Sequence, residues 1–278
     1  MANAEFEFSD QDFQQIRRVI NQVAGISLAD GKRELVYSRL SRRLRQLGLR
    51  RFEDYCELLE SGNDPAELSE FVNALTTNLT SFFREPHHFD FLANELLPAL
   101  VRERGFANRR LRIWSAGCST GEEPYTIAMV VRETLPTVGW DVKILATDLD
   151  SNVLATGQRG IYDWDRVKDL SEARRRRWFL KGCGAQAGQV RVAPALCDLI
   201  TFKRLNLMEE WPMRGTFDIV FCRNVVIYFD KPTQQVLFDR FADLMIEQGH
   251  LFVGHSESLF KVTERFAPLG KTIYRRCI

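Results

Sequence analysis

At 278 residues, with 45% hydrophobic and 27% charged side chains, the chain has the composition of an ordinary soluble protein, with room for one α/β domain and a smaller one. A net charge of +1 argues against wholesale nucleic-acid binding. Six cysteines without a C-x-x-C pair and four histidines without ligand spacing point to a reduced, cytoplasmic protein with no metal. The N-terminus lacks a basic-then-apolar signal and no apolar run approaches the roughly 18 residues needed to span a bilayer, so no direct membrane insertion is expected.

The chain opens with helices. Ser9-x-x-Asp12 reads as a capping box, Phe13, Ile16, Ile20 and Val23 share one face, and Gly25 ends the helix. A second helix is expected over residues 32–46, with Val36, Leu40, Leu44 and Leu47 buried. Further helices follow at 52–60 and 66–76. The first 84 residues carry 11 Lys/Arg and 13 Asp/Glu, yet residues 32–51 hold eight bases and one acid. At about 100° per residue, Arg39, Arg42 and Arg43 fall on one arc, which reads either as a solvated face or as a docking patch for an acidic partner. Residues 76–85, Thr-Thr-Asn-Leu-Thr-Ser-Phe-Phe-Arg-Glu, combine small polar groups with Phe-Phe and Arg. That mixture fits a loop packed into a cleft, with Asn78, Thr80 and Arg84 facing a ligand.

From about residue 89 helix and strand alternate, with strands expected near 111–115, 142–147, 198–204, 217–222, 250–254 and 271–276. Such alternation means a mostly parallel, doubly wound sheet covered on both faces. The richest stretch is 111–150. An apolar strand enters Ser115-Ala116-Gly117-Cys118-Ser119-Thr120-Gly121-Glu122-Glu123-Pro124-Tyr125, a helix follows, and the next strand ends on Asp148. A glycine turn followed by an acid closing the next strand is how such sheets hold the adenosine half of a nucleotide-like cofactor. Two carboxylates at the helix start would repel a diphosphate. They suit a cofactor carrying a cation, such as the sulfonium and ammonium of S-adenosylmethionine.

Beyond Gly160-Ile161-Tyr162, a basic helix at 174–177 leads into a glycine-rich stretch with Gly182 and Gly184 and then Val190-Arg191-Val192, the pattern of a small antiparallel excursion at about 175–200. The apolar strand 217–222 ends on Arg223-Asn224 at the carboxyl edge of the sheet, where open α/β sheets bind ligands. An arginine and an amide there suit an anionic acceptor or the carboxylate of the cofactor itself. The Asn/Asp-Pro-Pro-Tyr turn of amino-group methyltransferases is absent.

Taken together, Asn78-Leu79-Thr80-x-Phe82-Phe83-Arg84, Gly117-x-x-x-Gly121-Glu122-Glu123-Pro124-Tyr125, Ala146-Thr147-Asp148-Leu149-Asp150, Gly160-Ile161-Tyr162 and Phe221-Cys222-Arg223-Asn224-x-x-Ile227-Tyr228-Phe229 make the chain resemble the CheR family of chemoreceptor glutamate methyltransferases over nearly its full length. The resemblance implies an all-helical N-terminal domain, residues 1–84, and a Rossmann-like class I methyltransferase domain, residues 85–278, with a small antiparallel β-subdomain. It implies transfer of a methyl group from S-adenosylmethionine, leaving S-adenosylhomocysteine, to glutamates on the cytoplasmic coiled coil of methyl-accepting chemoreceptors. Carried over by motif, Asn78, Thr80, Arg84, Glu123, Asp148, Asn206, Leu207, Arg223 and Asn224 are expected to contact the cofactor, with Glu122 as the alternative to Glu123. Arg39, Arg42, Arg43, Gly182 and Gly184 are expected to meet the receptor, the glycines through a peptide at the receptor's C-terminus that adds a strand to an exposed edge. No long exposed heptad run demands a dimer, so a monomer is expected.

The chemistry fits. A glutamate side chain, with an ordinary pKa of about 4.3, is already the nucleophile at neutral pH and needs no general base. Arg84 is placed to grip a carboxylate and Tyr228 to orient the acceptor through its hydroxyl, while Asp148 is expected to accept from ribose hydroxyls. An RNA or small-molecule methyltransferase, or a non-catalytic cofactor-sensing docking protein, would share the cofactor domain.

Overall fold

The computed structural model describes residues 5–105, 109–136 and 139–277. The N-terminal part is a helical unit of α1 (Asp10–Ala24), α2 (Arg33–Leu47), α3 (Phe52–Ser61) and α4 (Pro65–Leu75). Its first helix begins as its sequence dictates: Ser9 Oγ accepts the Asp12 N–H at 3.1 Å and the Asp12 carboxylate accepts the Ser9 N–H at 2.8 Å. Gly25, at φ 70°, ends the helix in the left-handed conformation that glycine adopts at least cost. Phe13, Ile16, Ile20, Val36, Leu40 and Leu44 are buried in one core, whereas Leu47, expected inside, is 38% exposed because α2 ends there and Gly48 turns the chain away.

The basic arc of α2 is only partly a free surface. Arg43 forms an ion pair with the buried Glu67, whose Oε1 also accepts the Tyr55 hydroxyl at 2.7 Å. Arg39 donates to the carbonyls of Ala74, Leu75 and Thr76 at 3.3, 3.0 and 2.8 Å, satisfying the last turn of α4. Arg42 remains exposed.

Residues 76–85 then form a strap into α5 (Pro86–Phe91), which continues through a π-turn (Leu92–Leu96) into α6 (Leu97–Arg104). The second domain follows as β1 (Arg110–Ala116), α7 (Glu122–Thr134), β2 (Asp141–Asp148), α8 (Ser151–Arg159), β3 (Ile161–Asp163), α9 (Glu172–Trp178), β4 (Phe179–Lys181), β5 (Gln189–Val192), α10 (Pro194–Cys197), β6 (Ile200–Arg204), β7 (Phe217–Cys222), α11 (Lys231–Asp243), β8 (Met245–Val253), β9 (Phe266–Gly270) and β10 (Ile273–Arg276). The main sheet has the order β6-β2-β1-β7-β8-β10-β9. Its first five strands are parallel, and β10 and β9 close the edge as an antiparallel pair. The sequence reading missed β9, whose Phe266-Ala267-Pro268-Leu269-Gly270 carries a proline and a glycine rather than a strand pattern.

Alternation along the central strands builds two layers. Ile113, Ile144, Ile219 and Phe221 face the layer with α5 to α7, and Trp114, Val220 and Cys222 face the layer with α11. The excursion is a separate sheet of order β3-β5-β4 and begins earlier than expected, because Ile161-Tyr162-Asp163 supplies its first strand. The chain leaves β1 toward β2 and β6 and later returns to β7 on the opposite side of β1, so a crevice opens at the carboxyl ends of β1, β2 and β7.

The Glu67 cluster generates a stability test. Replacing Glu67 with Ala leaves the Tyr55 hydroxyl without this acceptor and the Arg43 guanidinium with only Gln46 and the more distant Glu70, and denaturant unfolding should show a loss of about 2 kcal/mol. A change within about 0.5 kcal/mol would mean the pair is solvated in solution.

Candidate active site

The crevice becomes a cavity because the helical unit covers it. Its volume is about 470 Å³, and its wall includes Ala24, Ile26–Ala29 and Lys32 from the helical unit, residues 75–81 and Arg84 from the end of α4 and the strap, and Gly117, Ser119, Glu123, Asp148, Asn206, Leu207, Arg223, Asn224 and Tyr228 from the sheet domain. A volume in this range accommodates a small-molecule cofactor. Every residue expected to contact the cofactor lies on this one wall, with Tyr228, while Arg39, Arg42, Arg43, Gly182 and Gly184 lie outside it.

The floor is the turn from β1 to α7. Gly117, at φ 85°, has no room for a side chain, since a Cβ there would run into the Val225 methyl. Asp148, ending β2, holds its carboxylate between two backbone donors: the Asp150 N–H at 3.0 Å and the Ser119 N–H at 2.8 Å. Burial pushes its pKa up to about 6 despite those donors.

The two acids at the start of α7 part company. Glu122 is fully buried and pairs with Arg166, outside the cavity. Glu123 lines the cavity, accepts the Ser115 hydroxyl at 2.8 Å and pairs with Arg223 at 3.0 Å. Of the two acids, Glu123 and not Glu122 borders the cavity. A phosphate at this helix start would meet a carboxylate, so the donor set fits a cofactor without a diphosphate.

Arg223 is 5% exposed and sits between Glu123 and Glu85, whose Oε2 lies at 3.2 Å. Its guanidinium also donates to the Arg84 carbonyl, and its Nε is buried without a hydrogen-bond partner. Burial alone would raise the Glu85 pKa, but the His255 hydrogen bond at 2.9 Å and the Arg223 charge outweigh it and hold the carboxyl near 2. Glu85, His87 and His88 place three donor atoms within 4.8 Å of one another, with Arg223 already supplying positive charge to Glu85.

Asn224, at φ 59°, is held by Glu257, which accepts the backbone N–H groups of Asn224 at 2.8 Å, of Ile227 at 3.2 Å and of Gly254. Sequence reasoning missed both Glu85 and Glu257. A signal for Glu257 existed: an acid in Gly254-His255-Ser256-Glu257, just past the buried strand β8, at the sheet edge where ligands bind.

The Arg84 guanidinium donates to the Leu79 carbonyl at 2.7 Å, the one hydrogen bond of this side chain among the described residues. The Asn206 amide donates to the Val23 carbonyl at 2.7 Å and its oxygen accepts the Met208 N–H at 3.0 Å, so this side chain docks the helical unit as well as bordering the cavity. The Tyr228 carbonyl accepts the Ser27 N–H at 2.8 Å, and its ring packs against the helical core.

Two family matches account for this arrangement. Residues 78–275 match a family described as "CheR methyltransferase, SAM binding domain", and residues 11–76 match "CheR methyltransferase, all-alpha domain". The chain belongs to the CheR methyltransferase family. It is 46% identical over 273 residues to chemotaxis protein methyltransferase 2 of Pseudomonas aeruginosa, covering 98% of this chain and 95% of that one. It is likewise 46% identical over 267 residues to the chemotaxis protein methyltransferase of Escherichia coli, covering 96% of this chain and 91% of that one. The enzyme is thus a methyltransferase whose cofactor is S-adenosylmethionine, and no described helix is long and apolar enough to cross a membrane.

Asp148 yields a pH prediction. With ribose hydroxyls as its expected donors, Asp148 would accept better when ionised, and cofactor affinity should then fall as pH drops through about 6, by up to about tenfold at pH 5. A folded pKa above the unfolded value means that Asp148 itself adds stability as pH falls between about 6 and 4, so this loss is not unfolding driven by that group. Calorimetric titration should show the step in the wild type and its disappearance, at weaker affinity, in Asp148→Ala. A wild-type affinity that is flat from pH 7.5 to 5 would remove Asp148 from the contact.

Proposed function

We propose that this protein methylates the γ-carboxylate of glutamates on the cytoplasmic coiled coil of methyl-accepting chemoreceptors, in adaptation of chemotaxis signalling, and that it acts in the cytoplasm as a monomer. One observation carries the choice of acceptor. No histidine lines the cavity among the described residues, and the two carboxylates that line it are engaged, Glu123 by Arg223 and Ser115 and Asp148 by two backbone N–H groups. With no free base at hand, the acceptor must arrive already ionised, as a glutamate does.

Bound S-adenosylmethionine supplies an electrophilic methyl on its sulfonium. The protein's task is then to orient and desolvate an anion. Arg84, with N–H groups uncommitted, grips a carboxylate, and the Tyr228 hydroxyl, which makes no hydrogen bond among the described residues, orients the acceptor. Asn78, Thr80, Glu123, Asp148, Asn206, Leu207, Arg223 and Asn224 hold the cofactor.

Receptor docking divides between two surfaces. On α2, Arg42 is the exposed member of the basic arc, with Arg39 and Arg43 tied into α4, and it meets an acidic receptor face. In the small sheet β4 is an edge strand, Leu180 is 55% exposed, and Gly182 has no room for a Cβ against the Gln186 carbonyl. That tight turn with Gly184 leaves the edge open for a receptor C-terminal peptide to pair with β4, raising the local concentration of methylation sites. The engagement of Arg39 and Arg43 inside the protein leaves little free charge on this arc for RNA phosphates, which weakens the alternative of an RNA methyltransferase.

Labelled S-adenosylmethionine incubated with chemoreceptor-containing membranes should label the receptor, and mild alkali should release the label as methanol. Tight cofactor binding with no transfer to receptor would overturn the reading. Arg42→Glu should slow receptor methylation roughly fivefold at low salt with cofactor affinity unchanged. A wild-type rate in that variant would make the arc a solvated face.

A further inference from the structure

Asp150 stands two residues beyond Asp148, is 3% exposed and does not line the cavity. Three parts of the molecule nevertheless meet at this residue, two of them at its carboxylate. Oδ1 accepts the backbone N–H groups of Asn152 at 2.8 Å and Val153 at 3.3 Å and so caps α8. Oδ2 accepts the Thr76 hydroxyl at 3.0 Å and the Asn78 amide at 2.7 Å, at the start of the strap. Its own N–H donates to Asp148 Oδ1.

These bonds close a ring. The Asn78 side chain reaches Asp150, the Asp150 N–H reaches Asp148, the other Asp148 oxygen takes the Ser119 N–H, and the Ser119 hydroxyl returns to the Asn78 carbonyl at 2.9 Å. The ring ties the strap, the β1–α7 turn and the end of β2 at one point. A helix cap needs one oxygen and serine provides it equally well. The second, buried oxygen is used by the strap alone, and a buried carboxylate is costly unless its lone pairs are engaged.

We propose that Asp150 is a positioning residue for methyl transfer, latching the strap to the end of β2 so that Asn78, Thr80 and Arg84 form the cavity wall before the cofactor arrives. The proposal rests on the cavity being the S-adenosylmethionine site. Without the latch, binding must order the strap and affinity falls by the cost of doing so. Thr76 sits at the end of α4, so the same latch fixes where the helical unit hands over to the strap.

Asp150→Ser separates the two roles, because serine keeps the α8 cap and cannot reach the strap. The Kd for S-adenosylmethionine should rise roughly tenfold or more, given the strength of hydrogen bonds to a charged group, with the thermal midpoint near that of the wild type. Hydrogen exchange without cofactor should speed up across residues 76–84 and not in α8. Asp150→Asn should recover part of the affinity, since the Asn78 amide can turn its oxygen toward the new NH₂. Unchanged strap exchange in Asp150→Ser, or equal acceleration in α8 with a lowered midpoint, would overturn the proposal and leave Asp150 a helix cap. The exchange arm uses no cofactor, so a wild-type protein that fails to bind S-adenosylmethionine would refute the site reading without touching the latch.

Discussion

A guanidinium removed from water must be neutralised where it stands, and Arg223 is the constraint around which the site is arranged. Glu123 comes from the first turn of α7 and Glu85 from the end of the strap, so one buried cation joins three segments that are far apart in sequence. Without it, two carboxylates would face each other across the cavity wall. With it, the acid at the helix start becomes compatible with burial, and the strap has a fixed end. Glu257 completes the arrangement by satisfying the backbone donors of the turn that carries Arg223 and Asn224.

At the other end of the strap the engaged groups are neutral, the Thr76 hydroxyl and the Asn78 amide, and both meet the carboxylate of Asp150, whose own N–H is held by Asp148. The strap is therefore anchored by an anion of the sheet domain at its start and by a cation at its finish. Between those anchors Phe82 and Phe83 pack against the core of the sheet domain, which explains two adjacent aromatics in a connecting segment. Arg84 is left as a charged group with little internal work, the condition for meeting a ligand.

Local chemistry was legible in the sequence wherever a short pattern decides a short structure. The Ser9 to Asp12 box, the Gly25 stop, the β1–α7 turn and the acid closing β2 all belong to that class. What was not legible depended on partners distant in the chain. Nothing near Arg43 announces Glu67, and nothing near Arg39 announces the end of α4, so an arc of bases on a helical wheel looked freer than it is. Glu122 and Glu123 are adjacent and chemically identical, and only Arg166 and Arg223 sort them. Leu47 continued an apolar stripe past the point where the helix had a core to cover.

The joint between the two units uses main-chain acceptors. Val23 and Tyr228 each contribute a carbonyl oxygen, to the Asn206 amide and the Ser27 N–H. Every amino acid carries that atom, so these contacts survive side-chain replacement at positions 23 and 228. Tyr228 fastens the units twice, through its carbonyl on the Ser27 N–H and through its ring against the helical core, while the same residue borders the cavity. Exchanging that side chain would keep the main-chain bond and lose the ring packing, so a change in the cavity wall at this position is coupled to the joint on which the shape of the cavity depends.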